Sequence, residues 1–235
     1  MHLFYQPDPS IFELDEEEAR HTAKVLRLST RDLINVTDGR GLLQTCRISV
    51  AGKRVIYDVI DSTHIKPRNY RVCMAVAPTR KTERNEWMVE KMTEIGVDRI
   101  DFVVTEHTHT EGINRIVNLA RLNRIAAAAM KQSQQFYLPE ITLVNSFKTF
   151  VEQQHISQKF MAYVPVHDRT AHVFSKIEKG KDSLLLIGPE GDFTPAEVEM
   201  AMSHGFETVS LGNTRLRTET AAVAGCHAIN LAQFV

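Results

Sequence analysis

Cysteine is scarce in this chain, and the patterns that would place it in a metal site or a disulfide framework are missing. The 235 residues include three cysteines, Cys46, Cys73 and Cys226, which lie far apart and form no C-x-x-C pair. His107 and His109 alternate without a third ligand residue beside them. We therefore expect no bound metal and a reduced, intracellular setting.

An excess of positive charge is also missing, as are long apolar runs. The formal net charge is −1, so any basic face that contacts nucleic acid must be local. No apolar run reaches membrane-spanning length, and the first residues, MHLFYQPDPS, lack a basic and apolar signal region. We expect a soluble, cytoplasmic protein without a membrane partner.

Residues 1–64 carry closely spaced strand patterns, which are typical of a small barrel or sandwich. Asp38-Gly39-Arg40-Gly41 is a strong hairpin turn between two of these strands. Asp15 followed three residues later by Glu18 matches a capping box and predicts a short helix. The strand patterns cover Leu33–Thr37, Leu42–Val50 and Arg54–Ile60.

After a polar, proline-marked linker at residues 65–69, strands and helices alternate. Val72–Ala77 is continuously apolar, which predicts a strand buried on both faces. A helix is expected from Glu83 to Ile95, with Thr82 as N-cap and Gly96 as C-cap. The alternation predicts an α/β domain with a mostly parallel sheet. Its other strands are expected at Arg99–Val104, Phe160–Val164, Leu184–Ile187 and Thr208–Leu211, and its other helices at Ile113–Gln135, from Pro195, and at Glu219–Phe234.

Two loops that follow strands carry most of the polar chemistry. In the first, Gly188–Asp192, the glycines allow close approach of a ligand. Thr194-Pro195-Ala196-Glu197 then starts the next helix with a full capping box. A phosphate-binding loop is the alternative, but its lysine is absent and Glu190 would repel phosphate.

The second loop, Gly212–Arg217, holds two arginines close to hydroxyls and a carboxylate. Arginine binds phosphate or carboxylate groups through a planar fork of donors, which favours a binding or catalytic role for Arg215 and Arg217. The alternative is a plain helix start, with Thr218 as cap and Glu219 favouring the helix dipole. In an open α/β sheet both loops would meet at the carboxyl ends of the strands.

The predicted helix at Ile113–Gln135 is basic, since no acidic residue occurs between residues 113 and 137. Such a stripe suits phosphate contacts that position RNA, although a solvated helix face would look the same. Gln132 at its end is placed to donate to bases. The RNA-binding candidates from the whole chain are Arg27, Arg80, Lys81, Arg121, Arg124, Lys131 and Gln132.

Five segments together resemble the RsmE family of RNA methyltransferases, which methylate N3 of a uridine in 16S ribosomal RNA (rRNA) of the small subunit. The resemblance covers nearly the whole chain, and its most specific parts are the last two motifs. The segments are His21-x-x-x-Val25-Leu26-Arg27, Lys91–Val97, Gln132-Ser133, Ile187–Gly191 and Leu216–Ala221.

This resemblance implies a PUA-like RNA-binding β-barrel at 1–66 and a SPOUT methyltransferase domain with a deep trefoil knot at 67–235. It further implies a homodimer, the assembled 30S subunit as substrate, and S-adenosyl-L-methionine (SAM) as cofactor. Arg217 and Arg215 are expected to stabilise charge on the uridine, and Glu219 to accept a proton or orient an arginine. The expected cofactor residues are Val164, Pro165, Ile187, Gly188, Pro189, Glu190, Gly191, Leu211, Gly212, Leu216, Thr218 and Thr220.

The chain departs from the family pattern at three positions. Asp192 stands where a second glycine is common, and His107 and Gln135 stand where arginines are common. The last two affect the expected RNA contacts more than cofactor binding. Two other functions stay open at this point: a non-catalytic RNA-binding assembly factor, and a SPOUT methyltransferase that acts on another RNA such as tRNA.

Overall fold

The computed structural model describes residues 1–51, 53–163 and 170–235. They form two compact units. The first comprises residues 1–67 and 127–138, and the second comprises residues 68–126 and 139–235. Residues 127–138, which the sequence placed in the second domain, thus group with the first unit, and the limits 1–66 and 67–235 stay predictions.

The first unit is built on a four-stranded sheet in the order β1-β2-β3-β4. Strands β1 and β2 are parallel, and the other neighbours are antiparallel. The predicted hairpin is confirmed, because Gly39 and Gly41 in its turn adopt left-handed φ values of 71° and 99°. The strands are β1 (Leu3–Tyr5), β2 (Leu33–Thr37), β3 (Leu42–Val50) and β4 (Ile56–His64).

Helix α1 (Glu16–His21) precedes one turn of π-helix at Thr22–Leu26. The Asp15 carboxylate accepts a hydrogen bond from the Glu18 amide at 2.8 Å, as the capping box predicts. The Glu18 side chain is paired with Lys131. The predicted cap by Asp15 is therefore present, and the Glu18 side chain forms an ion pair.

The second unit is a six-stranded, entirely parallel sheet in the order β10-β8-β9-β5-β6-β7. This confirms the predicted α/β class. All residues of the two central strands β5 and β9 are buried, as their continuous apolar sequences indicate. The strands are β5 (Val72–Val76), β6 (Arg99–Val103), β7 (Glu140–Val144), β8 (Gln158–Ala162), β9 (Ser183–Ile187) and β10 (Glu207–Val209).

Among the described residues, six further α-helices and a short 3₁₀ helix at Val173–Ser175 accompany these strands. One of them, α7, packs tightly against the sheet, since a Cβ atom added at Gly225 would lie 2.4 Å from Cδ2 of Leu185 in β9. In the described part of the chain, no helix is long and apolar enough to span a membrane. The helices are α2 (Thr82–Ile95), α3 (Ile113–Ile116), α4 (Leu119–Gln132), α5 (Phe147–Glu152), α6 (Pro195–Ser203) and α7 (Thr218–Phe234).

Two helix predictions were wrong in detail. Helix α2 begins at Thr82 itself, with Lys81 at the N-cap, whereas Gly96 ends it with φ 98° as expected. The single helix expected at Ile113–Gln135 is broken at Val117, whose φ and ψ are −108° and 73°. The side chain of Asn118 accepts a hydrogen bond from the Arg121 amide at 3.0 Å, so a new helix starts there.

Candidate active site

The polar loops of the second unit lie at the carboxyl ends of its parallel strands. From β5 the chain adds β6 and β7 on one side of the sheet, and it then adds β8, β9 and β10 on the other. The reversal places the loops after β5 and β9 next to each other. Ligands of open α/β sheets bind at such a reversal.

The loop after β9, residues 188–192, is held in one conformation. A Cβ atom at Gly188 would lie 2.9 Å from the buried ring of Phe193, so the backbone passes close to that ring. The predicted capping box is confirmed at Thr194 and Glu197. Glu197 Oε1 also accepts a hydrogen bond from the Glu106 amide at 2.8 Å, which ties the loop after β6 to the start of α6.

A cleft of about 330 Å³, here called the first cleft, lies between this loop and the loop after β10. Gly212 borders it with φ 129°, and no atom lies within 4 Å of the position that a Cβ would take there. A ligand can therefore approach the backbone closely at this point. The cleft is lined by Ala162, Tyr163, Asp192, Val209, Leu211, Gly212, Asn213, Thr214, Arg215, Leu216 and Ala221.

Some of the expected cofactor residues line this cleft, and others lie elsewhere in the second unit. Leu211, Gly212 and Leu216 line it. Ile187 is buried in β9, and Thr220 is exposed in α7. Val164 and Pro165 lie outside the described residues.

The segment after β10 is flanked on both sides by the connection that leads from β8 to β9. On one side the Tyr163 amide donates to Val209 O at 3.1 Å. On the other side the Ser210 amide donates to Ala171 O at 2.8 Å, and the Val173 amide donates to Ser210 O at 3.0 Å. The chain that forms the second loop thus runs between two parts of an earlier connection.

The start of α7 joins the two loops. Arg217 is the N-cap residue and is exposed, with no side-chain cap hydrogen bond. Thr218 is buried, and its hydroxyl donates to the carbonyl of Gly188 at 3.1 Å. The alternative that assigned Thr218 as the cap is therefore wrong, because its hydroxyl bonds the first loop.

Arg84 of α2, which in sequence adds positive charge beside Arg80 and Lys81, forms two ion pairs that the sequence pattern did not predict. Its Nη1 lies 3.4 Å from Glu190 Oε1, and its Nε lies 3.3 Å from Glu219 Oε1. The other carboxylate oxygen of Glu219 is buried without a hydrogen-bond partner among the described residues. Of the two roles considered for Glu219, these contacts favour the orientation of an arginine. In sequence, Arg84 is one cation in a helix start, and its two partners lie more than 100 positions away.

A second cleft, of about 320 Å³, lies at the ends of β5, β6 and β9. His107 Nδ1 is 2.9 Å from Asp192 O, which joins two of these loops. Asp192 itself lines the first cleft, so the loop 188–192 contributes residues to both clefts. The second cleft is lined by Pro78, Arg80, His107, Thr108, His109, Pro189, Glu190 and Gly191.

The candidate RNA contacts fall into two groups. Lys131 is paired with Glu18, and Arg121 Nε lies 2.5 Å from Glu86 Oε1, so both charges are balanced within the fold. The other candidates are exposed, and their role stays a prediction: Arg27, Arg80, Lys81, Arg124 and Gln132. Among the described residues, no cluster of three or more His, Cys, Asp or Glu side chains is arranged to hold a metal ion.

Comparisons with known proteins match both parts of the chain. A family model described as an RNA methyltransferase domain matches residues 66–230, and one described as an RNA methyltransferase PUA domain matches residues 14–57. The chain is 28% identical over 232 residues to ribosomal RNA small subunit methyltransferase E of Bacillus subtilis, covering 93% of this chain and 89% of the relative.

Solved structures agree with these matches. The crystal structure of a probable rRNA methyltransferase from Porphyromonas gingivalis is 39% identical, with a TM-score of 0.91 over 100% of this chain and 99% of that one. A methyltransferase of Legionella pneumophila, crystallised in complex with its cofactor SAM, is 25% identical, with a TM-score of 0.86 over 99% of this chain and 98% of that one.

Proposed function

Because the chain belongs to the RsmE family of RNA methyltransferases, we propose that it transfers a methyl group from SAM to N3 of a uridine in small-subunit 16S rRNA. The observation that carries this proposal is the first cleft, which lies in the matched methyltransferase domain at the carboxyl ends of β8 and β10. A relative of the same fold binds SAM.

The residues of the first cleft suit this cofactor. The apolar side chains of Leu211 and Leu216 fit an adenine ring, and the open space at Gly212 lets backbone groups reach a ligand. Arg215, Thr214 and Asp192 supply polar contacts for its other groups. When bound there, SAM supplies an electrophilic methyl group.

The protein's own part in the proposed reaction is alignment and charge stabilisation. N3 of neutral uridine carries a proton that must leave, and negative charge then develops on the base. We assign the stabilisation of that charge to the exposed side chain of Arg217, whereas Arg215 lines the first cleft. The uridine must leave its stack to be reached, which favours an RNA loop or strained segment as substrate.

The proposed partner is the 30S subunit, held through the PUA-like domain at 1–66 and exposed cations such as Arg27 and Arg80. Such a substrate places the reaction in the cytoplasm. The threading of a trefoil knot by the segment after β10 is also proposed. It is supported by the segment Val209–Ser210, where Val209 O accepts from the Tyr163 amide on one side and Ser210 bonds Ala171 and Val173 on the other.

A homodimer is proposed from the apolar groove on α7. This groove of about 510 Å³ is lined mainly by Phe174, Leu211, Ala224, Ala228 and Leu231. Leu231 and Phe234 are 42% and 79% exposed. Contiguous apolar surface of this kind marks an interaction site, and a second copy of the chain would cover it.

The direct test is methyl transfer by the purified protein from labelled SAM. We expect label in 30S subunits from cells that lack the gene, less in naked 16S rRNA, and none in tRNA. Label in tRNA alone would identify a methyltransferase with another substrate. Binding of RNA without heat of SAM binding in calorimetry would identify a non-catalytic assembly factor.

A further inference from the structure

We propose that the second cleft is the subsite for the target nucleotide, and that the carboxylate of Glu190 in this cleft receives the N3 proton. This inference rests on the proposed function and names its substrate subsite. The loop 188–192 borders both clefts, so that Asp192 is assigned to the cofactor in the first cleft and Glu190 to the nucleotide in the second.

Exposure distinguishes the two carboxylates that Arg84 contacts. The side chain of Glu190 is 51% exposed, whereas that of Glu219 is 9% exposed and keeps one oxygen fully buried. A proton acceptor must come within hydrogen-bond reach of the atom that it deprotonates. The exposed carboxylate of Glu190 is accessible to a base that enters the second cleft, whereas the buried carboxylate of Glu219 is not.

Arg84 positions the proposed acceptor. Its Nη1 lies 3.4 Å from Glu190 Oε1 while its Nε is held by Glu219. The buried carboxylate of Glu219 thus holds the Arg84 guanidinium, and the guanidinium in turn orients the exposed carboxylate of Glu190. This arrangement leaves the second oxygen of Glu190 available to a base in the cleft.

The loop that brings Arg80 to the second cleft is also fixed, and it carries positive charge. The Asn85 side chain, which is fully buried, accepts from the Thr79 amide at 2.9 Å and donates to Thr79 O at 3.0 Å. This clamp holds the short loop that bears Arg80, which lines the cleft and is exposed. A guanidinium suits a nucleotide phosphate, and the imidazole of His107 is a further polar group in the lining of this cleft.

The proposed step couples loss of the N3 proton to methyl transfer. The N3 proton passes to a Glu190 carboxylate oxygen, and the electron pair left on N3 forms the new bond to the methyl carbon. The bond between that carbon and sulfur breaks, and its electron pair stays on the sulfur. The products are 3-methyluridine, a neutral thioether and a protonated carboxyl, which then loses its proton to water.

The first arm of the test measures turnover and SAM binding separately. We expect Glu190→Gln to lower kcat on 30S subunits about 100-fold, the range of general-base catalysis, while the Kd for SAM changes less than two-fold. Asp192→Asn, in the same loop but in the lining of the first cleft, should weaken SAM binding. Glu199→Gln, an exposed carboxylate on α6, is the control and should change neither. An unchanged kcat, or a loss of SAM affinity as large as the loss of turnover, would contradict the role of Glu190.

The second arm does not depend on methyl transfer. Uridine 5′-monophosphate, uridine and inorganic phosphate are titrated into the SAM-loaded full-length protein and followed by NMR. We expect the monophosphate to bind more tightly than either fragment, and Arg80→Ala to weaken its binding at least ten-fold. Absence of binding at millimolar monophosphate, or equal binding by Arg80→Ala, would overturn the subsite. A wild-type protein that binds the nucleotide without methylating 30S subunits would instead refute the proposed function.

Discussion

Arg217 and Arg215 lie two positions apart but occupy different surroundings. Arg215 lines the first cleft, whereas Arg217 caps the start of α7 with an exposed side chain. A shared role in SAM binding is therefore not expected from their contacts. The structure thus separates Arg215, which lines the first cleft, from Arg217, whose side chain is exposed.

We predict that Arg217→Ala leaves the Kd for SAM unchanged and lowers kcat about 100-fold, because one charge-stabilising donor is lost. Calorimetry with SAM and turnover on 30S subunits measure the two effects. Arg215→Ala is the matched comparison and should weaken SAM binding. Full turnover by Arg217→Ala would remove that residue from the reaction.

Residue types predicted the chemistry of the site better than they predicted individual contacts. The threonines and arginines after β10 indicated a polar site, but a hydroxyl can serve as cap, ligand contact or tether. Thr218 proved to be a tether to Gly188, 30 positions earlier. The role of Arg84 in the site was missed because ion pairs with two distant carboxylates leave no local pattern.

At the scale of elements, the close contact between α7 and β9 leads us to predict the effect of a substitution at Gly225 on stability. Gly225→Ala would normally stabilise a helix by about 1 kcal/mol. Here the new Cβ would meet Leu185 Cδ2 at 2.4 Å in a filled core, so we expect a net loss of about 1–2 kcal/mol. Urea unfolding of the full-length protein measures it.

A double-mutant cycle separates this clash from a general effect on the helix. Leu185→Val shortens the side chain that the new methyl group meets. The combined variant should therefore lose less than the sum of the two single losses. Strict additivity, or stabilisation by Gly225→Ala alone, would show that α7 does not approach β9 so closely.

Elements defined by nearby residues were predicted well. The β2–β3 hairpin follows from its two glycines, and the start of α6 follows from Thr194 and Glu197. The break at Val117 was missed because the apolar spacing continues through it while Asn118 caps a new helix. Strand β7 and helix α5 were not assigned, and the order of the six strands could not be, because it depends on pairing between distant segments.

At the scale of the whole molecule, the reactivity of the three buried cysteines can be used to follow the unfolding of each unit. Burial raises the pKa of the Cys46 thiol to about 12, of Cys73 to about 11 and of Cys226 to about 12. The thiolate is the reactive form, so native protein at pH 8 should resist thiol reagents. All three should react once denaturant unfolds the chain.

Mass mapping of the modified cysteines provides the readout. Cys46 lies in the first unit, and Cys73 and Cys226 lie in the second. Labelling of Cys46 at lower denaturant than the other two would show that the first unit opens separately. Rapid labelling of any of them in native protein at pH 8 would contradict their burial.

The proposed dimer is tested on the apolar groove of α7. Leu231→Glu places a charge on its exposed side chain, so we expect dissociation into monomers in analytical ultracentrifugation and loss of methyl transfer. Met202→Glu, at an exposed apolar position on α6, is the control and should leave the mass unchanged. A monomeric wild-type protein with full activity would refute the dimer.

The most direct measurement of the proposed activity is a nucleoside-resolved mass map of 16S rRNA from cells with and without this gene. We predict the loss of one 3-methyluridine without the gene, its return with the wild-type gene, and no return with Glu190→Gln. An unchanged set of 3-methyluridines in 16S rRNA would contradict methylation of small-subunit rRNA by this protein.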